Sequence, residues 1–206
     1  THSGNNTFSG NNTFSSGLTI KTGIQNGMMI LISSGAFSAV TVATVTPPST
    51  GTYKNFHVVA YLQNVNVAAR SLLLSVGTDT LNAYEWSMAS AASDASNNSV
   101  GCVSPAAPPS LSYTAANATN VGINAHVALR MDVDLPASNV LSATWTNFHR
   151  TGNAGSAVVN DHGGFQYTGA SLGSLNFFMG TTTSCTVNAP SASSITGTVY
   201  IYAMPF

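Results

Sequence analysis

An all-β fold, an antiparallel β-sandwich of the jelly-roll kind, is what this sequence predicts, and three observations predict it. Val121–Val133 alternates strictly. Val121, Ile123, Ala125, Val127, Leu129, Met131 and Val133 share one face; Gly122, Asn124, His126, Ala128, Arg130 and Asp132 share the other. Ser194–Met204 does the same, with Ile195, Gly197, Val199, Ile201 and Ala203 opposed to Thr196, Thr198, Tyr200, Tyr202 and Met204. Between such stretches stand clusters of Gly, Pro, Ser and Asn, and no stretch carries a convincing helical period. Roughly eight to ten short strands with turns between them make a sandwich or barrel. Eight strands in two sheets with long connections favour the jelly roll.

The elements follow in order. Residues 1–18 form an extended, low-complexity segment, and residues 19–206 the globular head. Met28–Ser33 is an apolar strand ending at Ser-Ser-Gly. Phe37–Thr46 is rich in β-branched residues and stops at Pro47-Pro48, which cannot continue a ladder. Tyr53–Asn64 is a strand around FHVVAYL. Val67–Val76 suits a helix by composition, but its neighbours and Gly77 favour a strand. Leu81–Met88 alternates. Residues 89–120, small, polar and interrupted by Pro105, Pro108 and Pro109, read as one long loop or two loops with a short strand. That segment is either a binding surface or a loop packed along the side of the sandwich. Asn139–Phe148 is a strand. Gly163-Gly164 separates the short strands Val158–Val159 and Phe165–Tyr167. Leu175–Met179 is apolar, and Ser194–Met204 closes the chain as a strand expected inside a sheet.

Charge is scarce. Only 5% of the 206 residues are charged, with five Lys and Arg against six Asp and Glu, while 44% are hydrophobic. About 25% charge is usual, so the surface must be built from Ser, Thr and Asn. A net charge of −1 protects poorly against association, which suits a surface made for permanent assembly. Nucleic acid as a partner is disfavoured, because phosphate contacts need clustered Lys and Arg. The same scarcity argues against anionic membranes, and no apolar run reaches the length of a membrane-spanning helix. THSGNNTF has neither a basic nor an apolar region, so no leader is expected. Cys102 and Cys185 read as two thiols or as one disulfide, and neither belongs to a metal-ligand spacing.

Catalytic and metal signals are weak. Asp132 and Asp134 share one side of a strand end, where two carboxylates can meet Ca²⁺ but more commonly stay solvated. Asp161-His162-Gly163-Gly164 reads as an Asp-initiated turn. NFH occurs at Asn55–His57 and at Asn147–His149, and two such histidines can meet within the fold or about a symmetry axis. No GxSxG is present. The expectation is a non-enzyme without cofactor or metal. Tyr84, Trp86, Tyr113, Trp145, Tyr167, Tyr200 and Tyr202 are candidate stacking platforms for sugars, with Trp86 and Trp145 expected to pack inside. Asn5, Asn11, Asn97 and Asn117 each open an N-x-S/T triplet, which this composition produces by chance.

The chain begins with GNNTFS repeated in tandem, at Gly4–Ser9 and Gly10–Ser15. Phe8 and Phe14 are an even number of residues apart, so in an extended chain both point one way. SGNNTFSGNNTFSSGLTI resembles the connecting segments of tailed-bacteriophage fibre and spike proteins. ITGTVYIYAM resembles the closing strand of phage virion jelly-roll domains. The resemblance covers about 18 residues at the front and about 10 at the back. It implies a homotrimer located on the virion, with Phe8 and Phe14 filling the trimer axis, and no catalytic residues. The expected partners are further copies of the chain, other virion proteins and a host surface glycan. Binding is expected in the loops, at 89–120 and Asn153–His162, with Trp86, Asn97, Asn98, Tyr113, Asn117, Asn153, Asp161 and His162 as the candidates. Two other readings are a capsid decoration protein or head fibre binding capsid subunits, and a secreted carbohydrate-binding module.

Overall fold

The computed structural model describes residues 29–47, 53–65, 70–78, 83–92, 97–112, 121–137, 139–150, 158–169, 173–182, 188–190 and 194–204. These hold twelve strands and no helix: β1 (Ile30–Val40), β2 (Val42–Val45), β3 (Asn55–Val65), β4 (Ser71–Val76), β5 (Tyr84–Ala92), β6 (Asn97–Ala106), β7 (His126–Ala137), β8 (Val140–Arg150), β9 (Val158–Thr168), β10 (Leu175–Thr182), β11 (Asn188–Pro190) and β12 (Ser194–Ala203). Residues 1–18, expected to form a stalk with Phe8 and Phe14, lie outside the described residues, as do Tyr113, Asn117, Asn153 and Cys185.

The strands form two packed antiparallel sheets. The large sheet runs β1-β12-β3-β7-β8-β9-β5-β6. In the small sheet β10 is central: β4 lies along one side, and β2 and β11 follow one another along the other. The large sheet holds eight strands and the small one four, with β7-β8-β9 as a meander. The closing strand β12 sits inside the large sheet, paired on both sides.

Alternation builds the core. Phe56, Val58, Ala60 and Leu62 of β3, Val127, Leu129, Met131 and Val133 of β7, and Ile195, Val199 and Ile201 of β12 are buried. They meet Leu72, Leu74 and Val76 of β4 and Phe177 and Met179 of β10 in one apolar cluster. Burying each such side chain contributes about 1.5–3 kcal/mol relative to exposure. At Gly197 of β12, φ is +147°, and an added Cβ would stand 2.9 Å from Leu62 Cα, so only glycine lets β12 lie against β3 there.

Three expectations are corrected. First, Ser33-Ser34-Gly35 does not end a strand; β1 runs through it, absorbing a register shift between Leu31 and Ser33. The break comes later, where Ala39 has φ 51° and its N–H donates to Thr196 Oγ1, and the chain passes from the large sheet into β2 of the small one. Second, within 89–120 the described residues 89–92 and 97–106 are strand, and 107–112 follow the alternative of a segment packed along the side of the sandwich. β5 extends to Ala92, β6 pairs with it, and the segment from Ala107 to Ser112 is buried along β4, with Leu111 N–H donating to Leu72 C=O at 2.7 Å. Prolines misled here because Pro108 and Pro109 sit where that segment needs no continuous ladder. Third, Asp161-His162-Gly163-Gly164 is no turn but the middle of β9. A Cβ at Gly163 would meet Trp145 Cζ2 at 2.6 Å, so the glycine is a seat for the indole rather than a corner.

Candidate functional site

The large sheet has an inner face on the core and an outer face without a covering layer among the described residues. On the outer face, strand register arranges side chains in rows across β3, β7, β8 and β9. One row is Tyr61, Ala128, Phe148 and Asn160; the next is Val59, Arg130, Thr146 and His162. Beyond the first, Gln63 stands beside His126, and Arg150 beside Val158. Parity puts Tyr61 and Phe148 outside, since their neighbours Leu62 and Asn147 point inward. Both rings are more than half exposed, at 56% and 53%, which is unusual for such large side chains.

These rows enclose a trough. A cavity of about 690 Å³ is lined by Tyr61, Asn124, His126, Ala128, Phe148, Arg150 and Val158. A smaller one of about 210 Å³ adjoins it, lined by Val59, Tyr61, Arg130, Thr146 and Phe148. Tyr61 and Phe148 belong to both. The larger volume lies in the range of ordinary ligand sites. No carboxylate lines either cavity. The acids of this face stand further along the strands, in the rows of His57–Asp132–Thr144 and Asn55–Asp134–Ser142, with Glu85 beyond Gln166. His57 Nδ1 is 2.7 Å from Asp132 Oδ1, a partly exposed pair.

Behind β8 and β9, on the inner face, lies a sealed polar cluster: Ser90, Asn147, His149 and Asp161, none more than 3% exposed. Asn147 Nδ2 donates to Leu111 C=O, and His149 Nδ1 lies 3.0 Å from Asn147 Oδ1 and 3.4 Å from Asp161 Oδ2. Neither Asp161 oxygen nor Ser90 Oγ has a hydrogen bond of good geometry. Burial pushes the Asp161 carboxyl up to about 7; the neighbouring Ser90 hydroxyl and Asn147 amide act against that rise.

The expected site residues fare differently. Trp86 is 3% exposed and packed in the core, so it offers no stacking surface. Asp161 faces the core rather than a ligand, because its odd position in β9 shares parity with Phe165 and Tyr167. His162 is exposed on the outer face, one row from Phe148. Asn97 and Asn98 lie on β6, opposite Ala91 and Ser90. The two NFH histidines do not meet: His57 faces outward, and His149 is buried inside. No group of three or more His, Cys, Asp or Glu that could hold a metal occurs among the described residues. Tyr61, Phe148, Arg130 and Arg150 are the residues that sequence reasoning did not select. Their signal was parity: Phe148 stands three residues after the core residue Trp145, and Tyr61 one before the core residue Leu62.

No family model, curated protein or solved structure matches this chain.

Proposed function

We propose that this chain is a non-enzymatic bacteriophage virion surface protein, the head of a homotrimeric fibre or spike that attaches to glycan on the host surface. The observation that carries this reading is the outer-face trough with Tyr61 and Phe148 exposed on its floor. Two exposed aromatic rings on a rigid sheet suit weak contacts to sugar rings, and three copies on one stalk multiply weak contacts into firm attachment. The 5% charge and the tandem GNNTFS repeat favour assembly through neutral, extended segments. The jelly-roll description belongs to this proposal too.

A second reading, a capsid decoration protein, is favoured by Met29 and Leu31, both more than half exposed beside the edge of the large sheet. Such residues suit a fixed contact with shell subunits. Light scattering on the full chain, with and without residues 1–18, tests assembly, and a trimer near three times 21.1 kDa is expected. Adhesion to cells supports the attachment reading; binding to empty capsids while ignoring cells supports decoration. A clean monomer that binds neither refutes both.

A further inference from the structure

We infer that the outer-face trough is a subsite for an acidic saccharide, whose sugar rings lie on Tyr61 and Phe148 and whose carboxylates meet Arg130 and Arg150. The inference deepens the glycan-attachment reading and rests on it. Its first support is the segregation of charge on one sheet face. In a chain with only five Lys and Arg, two of them line the adjoining cavities, one in each. No carboxylate lines either cavity; on the same face Asp132 stands in the row next to Arg130, paired with His57, and Asp134 and Glu85 lie further off. The ion pairs among the described residues are His57–Asp132 and His149–Asp161, so neither guanidinium has a carboxylate partner there.

The second support is geometry. Arg150 stands one rung beyond the Val127–His149 pair and Arg130 three residues past Val127 on β7, so the two guanidinium-bearing positions are about 13 Å apart along the strands. The aromatic pair lies between them. That spacing suits an extended oligomer with repeated negative charges better than one compact anion. A guanidinium binds a carboxylate through two parallel N–H···O bonds, and Arg holds that geometry where Lys does not. Asn124 and Thr146 supply neutral hydrogen-bonding groups for hydroxyls. A nucleic acid is the poorer fit, because two arginines neutralise few phosphates.

The test is isothermal titration of the full chain with an oligogalacturonate and with its methyl ester, which has the same sugar rings and no charge. Binding of the acid at least about tenfold tighter than the ester is expected, weakening as salt rises. Arg150→Ala and Arg130→Ala should each lower affinity for the acid about tenfold and leave the ester unchanged. Phe148→Ala should weaken both, and an unchanged thermal unfolding curve shows that the variant still folds. Equal affinity for acid and ester overturns the acidic assignment while leaving glycan attachment intact. Cell adhesion that survives Phe148→Ala places attachment elsewhere and overturns the subsite. If neither sugar binds and Phe148→Ala instead abolishes concentration-dependent self-association, the occupant is a second copy of this chain, and the inference fails.

Discussion

Replacing Asp161 by Asn should remove a large pH dependence from the stability of this fold. Asp161 lies on the inner face of β9 with no exposure, beside Asn147 and His149 of β8 and Ser90 of β5. Burial holds its carboxyl at about 7 in the folded chain, against 3.8 for an unperturbed group. Between those values the folded chain keeps a proton that the unfolded chain has lost. Stability from this group is therefore complete below about pH 4 and falls as pH rises towards 7, where the folded carboxyl ionises. At about 1.4 kcal/mol for each pH unit between the two values, the loss is about 4 kcal/mol. An amide has the same shape and does not ionise. Urea unfolding at steps from pH 4.5 to 8 gives the curve, read by the fluorescence of Trp86 and Trp145, both buried. Titrating groups outside the cluster act equally in both chains, so the difference between wild type and Asp161→Asn reports this carboxyl together with its contact to His149. The variant should gain on the wild type steadily up to about pH 7 and then hold its lead. A difference that is flat across the range would refute the reasoning. A difference of opposite slope would show Asp161 charged against a protonated His149.

Other outcomes follow from single contacts. Gly197→Ala should destabilise by about 3 kcal/mol in the same assay, because the new Cβ meets the backbone of β3 at Tyr61 and Leu62. A loss below about 1 kcal/mol would mean that β12 can shift. Gly163→Ala should displace the Trp145 indole and cost about 2 kcal/mol, with a change in tryptophan emission; unaltered emission would contradict the close packing. Asp132→Asn should change stability by less than about 1 kcal/mol, since its pair with His57 faces solvent, and a larger loss would mean the pair is shielded in an assembly.

The sandwich was legible because alternation is a local property. From Val127 to Val133 and from Ile195 to Ala203 the inward residues were named correctly, since a strand with one face on a core writes its register into every second residue. Residues 121–125, expected in the same strand, turn instead, with Asn124 at φ 56°. Segment boundaries were less legible, because glycine has two uses. Gly163 was taken for a corner, whereas it makes room for a ring supplied by β8, and a contact between residues 145 and 163 leaves no local trace. Prolines at 108 and 109 likewise signalled a loop, and tertiary packing placed them along β4. The trough needed something else. Tyr61, Ala128 and Phe148 come from three strands and become neighbours only through the pairing order β3-β7-β8, which no single stretch of sequence encodes. The sequence offered only the parity of each.

The pairing of β1 with β12 has a mechanical consequence. Ile30 and Ala203 are opposite one another on the same rung, at the outer end of an antiparallel ladder. A pull applied between those two residues opens the ladder rung by rung, like a zip, and meets only one pair of bonds at a time. A pull applied to Ile30 against a distant anchor, such as the far end of β8, must instead slide β1 along β12 and break many rungs together. The direction in which load reaches β1 therefore decides whether this domain yields gently or resists.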